Sequence, residues 1–352
     1  MTGVTEAPAG GPPQAGAGVP TTPAPGGRGW SGRRHAVGVA RRLAEVLATL
    51  LGVALSVFVL LRLVPGDQIT ASLGTEAAAL TPAQRQALRD YYGLDDSPVG
   101  QFVGWLGNVA TGNLGFDRRS GQAVTDMTFG ALPATLELAL LATLLGLALA
   151  VPLALWSASR PGGARDLAAQ GFGLAALSLP TFLVGSVLLA TVSRYAGYNP
   201  NALGYAAPWQ DPTLNLQQML FPALVLGFAL TAPIMRTARS ALLEIATEDF
   251  VRTARGKGVD ARRIRSRHVL RAALVPIVTM TGIQLGYLLG GAVVVEQIFS
   301  VPGLGRQVLT AMQQKEYAVV QSTVLVIAVL FVLVNLGTDL LYRIIDPRVR
   351  DS

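Results

Sequence analysis

Six stretches of this 352-residue chain stay apolar for about 20 residues or more, the length a helix needs to cross a hydrocarbon core of about 30 Å. They lie at about 43–64, 134–157, 166–192, 217–238, 272–297 and 318–343. In lipid each backbone N–H and C=O must be satisfied within its own segment, so stretches of this length read as helices. The fold class that follows is an all-α integral membrane protein with six transmembrane helices. Composition agrees: 51% hydrophobic and 14% charged residues, with mean hydropathy +0.45, are too apolar and too charge-poor for an ordinary soluble domain.

The charges that remain orient the spans. Arg33, Arg34, Arg41 and Arg42 precede the first stretch and hold the amino terminus in the cytoplasm. The loop from Arg236 to Arg271 and the tail with Arg343, Arg348 and Arg350 are basic as well. The loop after the first span carries Asp67, Asp90, Asp95, Asp96, Asp117 and Asp126 against few arginines, as expected outside. An even number of spans returns the carboxyl terminus to the cytoplasm, so the expectation is a multi-pass cell-membrane protein with both termini inside. The net charge of +7 is distributed between apolar segments, which points to topology and a lipid surface and away from nucleic acid. With no cysteine, disulfides, thiolate metal sites and cysteine nucleophiles are excluded, and His35 and His268, far apart in sequence and both among arginines, argue against a histidine metal site.

Composition also divides the chain. Residues 1 to about 27 are Ala, Pro, Gly and Thr without apolar periodicity, too polar and breaker-rich to bury a core, and read as a disordered tail. The expected order is a cytoplasmic tail at 1–40, a first transmembrane helix at 41–64 and an extracytoplasmic helical lid at 65–133. A membrane core at 134–346 follows, with a cytoplasmic loop at 244–271, and then a tail at 347–352. Within 65–133, TPAQRQALRDYYG has Thr81 as N-cap, Pro82 at the first helical position and Gly93 past the end. SPVGQFVGWLGNVATG repeats the scheme from Ser97 and Pro98, with Val99, Phe102, Val103, Leu106 and Val109 on one face. The second external loop carries Tyr195, Tyr198, Tyr205 and Trp209, an aromatic belt for a membrane interface.

The densest local grammar lies in EDFVRTARGKGVDARRIRSRH, from Glu248 to His268. Thr247 is placed to cap a helix whose first turn holds Glu248 and Asp249, acids suited to the helix dipole. Phe250, Thr253, Ala254 and Lys257 share a face, Gly256 and Gly258 stop the helix, and Asp260 begins another that runs into the fifth span. Charge alone makes this a positive-inside loop touching acidic lipid. RGKGVD is no phosphate loop, because Lys257 is followed by Gly258 where GxxxxGK[ST] needs a hydroxyl for magnesium.

Other features keep two readings open. Gly282, Gly286 and Gly290 recur every four residues in the fifth span, ahead of Gly291 and Ala292, and suit either a packed seam or a pore-lining or subunit interface. Glu137 and Glu296 lie near the outer edges of their spans: either they sit at the interface, or they face a pathway or pair with an arginine of the outer loops. Glu296 precedes VPGLG at Val301–Gly305, a helix break where backbone can line a cavity. Pro180, Pro222, Pro233 and Pro276 mark kinks or span entrances.

Several segments together carry a family resemblance. VRTARGKG followed by HVLR resembles the cytoplasmic EAA signature of binding-protein-dependent ABC importer permeases, in the form used by the oligopeptide, dipeptide and nickel subfamily. RRLAEVLATLLGVALSVFVLLRLVPGD, LPATLELALLA, VVVEQIFSVPGLG and DLLYRIIDPRVR resemble the same subfamily in the same order, over about 40–350. The resemblance implies a type I importer permease fold with the 65–133 insertion, and a first-permease role. It implies a second homologous permease, two ATPase domains and an extracytoplasmic binding protein as partners. ATP and magnesium are then used by the partner subunits, and this chain binds no cofactor and is not an enzyme. It assigns Phe250, Arg252, Thr253, Ala254, Lys257 and Gly258 to the element that couples to the ATPase, and the fifth-span half, with Gly286 and Gly290, to the translocation path, for which the span-edge acids Glu137 and Glu296 are further candidates that would help to receive a peptide's amino group. Arg252 stands where the signature usually has an acid and Arg271 where it has a proline, departures that bear on subfamily. The implied cargo is di- or oligopeptides, with nickel chelates or oligosaccharides as the alternative within the family. An ion-coupled secondary transporter predicts inverted repeats and midplane acids that are not evident here, and a membrane protease lacks HExxH or paired GxGD aspartates.

Overall fold

The computed structural model describes residues 30–63, 80–91, 96–199 and 204–345. The expectations for the 1–27 tail, Gly93, Asp67 and the arginines at 348 and 350 lie outside these residues. The helices in chain order are α1 Trp30–Leu63, α2 Pro82–Tyr91, α3 Pro98–Ala110, α4 Val124–Ala158, α5 Ala164–Ser178, α6 Thr181–Ala196 and α7 Pro212–Ile245. Then come α8 Asp249–Gly256, α9 Ala261–Arg263, a π turn Ile264–Val269, α10 Leu270–Gly291, α11 Val293–Ile298, α12 Leu304–Gln314 and α13 Tyr317–Ile345. Among the described residues the only β pairing is an isolated bridge between Phe116 and Ala123.

The chain divides into two units, 1–47 and 48–352, with the boundary inside α1. In the first, Arg41 and Glu45 form an exposed i,i+4 pair at 2.8 Å. Because α1 begins at Trp30, residues 30–40 are helical and the tail expected up to residue 40 ends earlier. Pro25 is the last proline before the first span, and beyond it a helix nucleated in the apolar segment extends at little cost.

In the second unit, five helices are long and apolar enough to cross a membrane when the 40–63 part of α1 is counted, or six if one bent pair forms a single span. That pair is α5 and α6, which meet at 93° where a continuous span at 166–192 was expected. The break is local chemistry. Pro180 has no N–H to donate and disfavours helical backbone at the residue before it, and Leu179 is extended at φ −86, ψ 119. Pro133, Pro152, Pro222, Pro233 and Pro276 instead lie inside continuous helices.

The core is the crossing of α4 and α7. Ala139, Ala142, Gly146, Ala150 and Ala154 recur at helical spacing and are buried along one side of α4. A Cβ at Gly227 of α7 would stand 3.0 Å from the Ala142 carbonyl, and one at Gly146 would stand 3.0 Å from Leu230 Cβ. Small residues let the two backbones approach, which matters in lipid, where association rests on van der Waals contact and interhelical hydrogen bonds. Gly146 meets Gly227 and Leu230 while Ser157 meets Arg239, so α4 and α7 run parallel. Between them α5 and α6 carry the chain back to the end where α7 begins, and there Asp211 caps α7 by accepting from Thr213 N at 3.1 Å and Leu214 N at 3.0 Å.

At the far end of this crossing a buried polar knot closes the bundle. Arg239 donates Nε and Nη2 to the two oxygens of Asp166, each at 2.7 Å. Asp166 also accepts from Ser157 Oγ at 2.6 Å, Gly162 N at 2.8 Å and Gln170 Nε2 at 3.0 Å. One carboxylate thereby joins the end of α4, the Gly162 turn, the start of α5 and the last turns of α7.

α2 and α3 form where their caps direct. Thr81 and Gln84 make a reciprocal capping box, with Thr81 N to Gln84 Oε1 at 3.0 Å and Gln84 N to Thr81 Oγ1 at 3.3 Å. Ser97 Oγ accepts from Gly100 N at 3.2 Å at the start of α3. The inward face of α3 is rotated from the expected one: Phe102, Trp105, Leu106 and Val109 are half-buried, while Val99 and Val103 are exposed. The rotation follows from Phe58 of α1, whose ring meets Phe102 edge-on at 5.0 Å.

Replacing Asp166 by Ala removes the acceptor that every donor in the knot shares, and it should lower the thermal midpoint of the purified protein clearly more than Asp166→Asn does. Arg41→Ala, which breaks only the exposed pair, should leave the midpoint unchanged in the same assay.

Candidate functional site

Two places combine unusual geometry with the residues singled out from the sequence: the short helix α8 and the turn after α11. In α8, Val251 is fully buried and anchors the helix on the core. Around that anchor Phe250, Arg252, Thr253, Lys257 and Gly258 are exposed and Ala254 is half-buried. Phe250 is 46% exposed, a large ring held outward by a chain that otherwise buries its apolar side here. The cap differs from expectation. Glu248 occupies the N-cap without a side-chain bond, and Thr247 Oγ1 turns back to the Glu244 carbonyl at 2.7 Å. Thr247 is still bonded into the end of α7, so its hydroxyl serves that helix. The stop is as expected: α8 ends at Gly256, and Gly258 at φ +74 adopts the left-handed conformation that glycine accepts without strain. Asp260 then caps α9, accepting from Arg262 N at 2.8 Å and Arg263 N at 3.2 Å.

The second place is built on Glu296, which has no exposed surface. Its carboxylate accepts from Thr135 Oγ1 of α4 at 2.8 Å and from Arg306 N at 2.9 Å. Thr135 Oγ1 in turn accepts from Leu304 N at 2.8 Å. Leu304 and Arg306 lie in the first turn of α12, whose N–H groups have no partner within the helix, so a side chain from each of two other helices serves them. The VPGLG glycines make room for this. A Cβ at Gly303 would fall on the Glu296 carboxylate, and one at Gly305 would stand 2.7 Å from Val293 Cα. Ser300, at φ +56, reverses the chain ahead of the turn, and its carbonyl accepts from Arg306 Nη1 at 2.6 Å.

Glu137 lies two residues past Thr135 on α4 and accepts from Tyr205 Oη at 2.7 Å. Burial, and next this bond, hold the Tyr205 hydroxyl above its ordinary pKa, so it stays a donor. Tyr198 also folds inward, its ring edge-on to Phe221 at 4.7 Å, and burial pushes its hydroxyl up to about 12. Tyr195 and Trp209 are exposed, so the four aromatics divide into two pairs. Gly286 is at a seam: a Cβ there would stand 2.9 Å from the Phe331 ring of α13. Gly282 meets Thr338 of α13 in the same way, whereas Gly290 faces open space.

The structure therefore brings Glu137 and Glu296 to one end of α4 and leaves Gly286 and Gly290 elsewhere on α10. Sequence reasoning missed Val251, Thr135, Arg306 and the Asp166–Arg239 pair. Arg306 alone had a local signal, standing directly after VPGLG.

Comparison with known proteins adds three relatives and a family. Residues 150–351 match the family described as binding-protein-dependent transport system inner membrane component. The dipeptide transport system permease protein DppB of Escherichia coli is 35% identical over 334 residues, covering 89% of this chain and 98% of that protein. The oligopeptide transport system permease protein AppB of Bacillus subtilis is 34% identical, covering 88% and 98%. The di/tripeptide transport system permease protein DppB of Pseudomonas aeruginosa is 36% identical, covering 89% and 98%.

Two substitutions test the Glu296 turn. Glu296→Ala leaves the Arg306 N–H and the Thr135 hydroxyl without their acceptor, at about 1–3 kcal/mol for each unsatisfied group, and should destabilise the protein more than Glu296→Gln in thermal unfolding. Gly303→Ala should cost about 1–3 kcal/mol by forcing the carboxylate aside, with a matching fall in the same measurement.

Proposed function

The chain belongs to the family of binding-protein-dependent transport system inner membrane components, and on that premise we propose that it is the permease subunit of an ABC importer that moves peptides inward across the cytoplasmic membrane. The observation that carries the cargo is the end-to-end identity of 34–36% with three permeases whose names specify dipeptides, oligopeptides and di/tripeptides.

In this reading the bent α5–α6 pair counts as one span, giving six. The parallel course of α4 and α7 supports that count, since the chain between them must cross once. Both termini then lie in the cytoplasm, with α8 and the basic segment after it, and the 65–133 insertion lies outside, where a loaded binding protein docks. A second homologous permease completes the pathway, and two ATPase domains supply the energy with ATP and magnesium. The fold is of the type I importer class.

The coupling step is assigned to α8. Val251 fixes it to the core that contains α4 and α7, while Phe250, Arg252, Thr253 and Lys257 remain available to enter an ATPase cleft. Ala254 and Gly258 keep the contact surface low. A push on α8 passes through Asp260 and α9 into α10, so closure of the ATPases changes the side to which the pathway opens.

Phe250→Ala should weaken recovery of the ATPase with this chain at least about tenfold, as loss of an aromatic anchor does, without lowering its thermal midpoint. Val251→Ala should lower the midpoint. Peptide uptake that is driven by an ion gradient without ATP would refute the importer reading.

A further inference from the structure

Two cavities open beside the Val301–Gly305 turn. The larger, about 470 Å³, has Asp117, Glu316 and Arg306 in its wall together with the start of α4 and one side of α12. The smaller, about 200 Å³, lies beside Tyr205 and Phe299 and also has Arg306 in its wall. Arg306 is the charged residue the two share. The larger falls within the roughly 300–1,000 Å³ of ordinary small-ligand sites.

The charges in this wall are incompletely matched. Arg306 spends one guanidinium N–H on the Ser300 carbonyl and has no carboxylate within 4.0 Å among the described residues. Asp117, 6% exposed, accepts from Arg119 N and Ser120 N at 3.3 Å and from Ser120 Oγ, and has no cation within the same reach among the described residues. Glu316, by contrast, has Arg118 Nε at 3.7 Å. Arg306 also acts on the buried Glu296 carboxylate from beyond that reach, and Asp117 is held by backbone and hydroxyl donors alone. Among the described residues neither group therefore has a direct ion-pair partner in this wall, and a ligand with both charges can complete both. Arginine's planar fork suits a carboxylate in particular. The backbone of Arg306 is fixed by its N–H on the buried Glu296, and its fork is steered by Nη1 on the Ser300 carbonyl.

We propose that this cavity is a binding site for the cargo itself, a short zwitterionic peptide whose terminal carboxylate pairs with Arg306 and whose terminal ammonium pairs with Asp117. The site rests on the peptide-importer reading and adds to it a selectivity of the permease separate from that of the binding protein. Free termini are what all short peptides have in common, so a site that reads them accepts many side chains.

The test uses the complete complex, with its second permease and ATPases, in lipid nanodiscs without binding protein. Saturation-transfer NMR compares Ala-Ala with its C-terminal amide and its N-acetyl derivative. The wild type should bind Ala-Ala about tenfold more tightly than either, the loss expected for one charge-assisted hydrogen-bonded contact. Arg306→Gln should abolish discrimination against the amide and keep that against the N-acetyl form, and Asp117→Asn should do the reverse. Arg306→Lys, which keeps the charge without the fork, should lie between, and it carries the test if Arg306→Gln does not assemble. Equal binding of all three probes to the wild type would overturn the proposal. So would an Arg306→Gln complex that binds the probes as the wild type does and alters only ATPase stimulation by loaded binding protein, which would make the cavity a docking surface. ATP-driven uptake of Ala-Ala with binding protein present is measured in parallel: its absence would defeat the importer reading, and its presence with failed discrimination would defeat only this site.

Discussion

The close crossing of α4 and α7 is the contact on which the other elements depend. In lipid an apolar side chain gains little by leaving its surroundings, so helices hold together by fit and by polar bonds between them. Here the fit is backbone to backbone, at Gly146 and Gly227, along a stripe of alanines on α4. The polar bonds come at two levels of the same helix. Thr135 reaches the Glu296 turn, and Ser157 reaches Asp166 and Arg239. α4 thus behaves as a rod fastened to one polar knot in its first half and to another at its last turn.

Both knots follow one rule: a buried carboxylate must gather its donors from the protein, because water is excluded. Asp166 gathers five, from four separate segments, and in doing so fixes the end of α7 from which α8 departs. Glu296 gathers backbone and hydroxyl donors and in doing so positions the start of α12, from which Arg306 projects. An element proposed to meet the ATPase and an element proposed to meet the cargo are therefore attached to the same rod at different levels. Such an arrangement suits a machine that must transmit a movement from one face of a membrane to the other.

The legibility of the sequence varied with the range of the interaction. The helix starts at Thr81, Ser97 and Asp260 were readable because a cap is made within three residues of itself. Thr247 failed as a cap because a competing carbonyl, that of Glu244, lay just as near in the preceding helix. The 93° bend was underestimated: Pro180 was recognised as a kink, but how far a chain turns at a proline depends on what the two arms pack against. The fifth-span glycines could serve a seam or a pore on spacing alone. Only their neighbours separate Gly282 and Gly286, pressed on α13, from Gly290 in open space.

What the sequence determined by itself was the class of solvent and the helical character, since these follow from segment length and local composition. It also supplied the short helix between Glu248 and Gly258, whose stop is encoded in a glycine that adopts positive φ. What only the tertiary structure decided was the partner of each buried polar group. Thr135 lies 161 residues from Glu296, and Asp166 lies 73 from Arg239. No periodicity or local motif spans such separations. A carboxylate's role at the end of a span is set by which donors the fold delivers to it, and that is a property of packing.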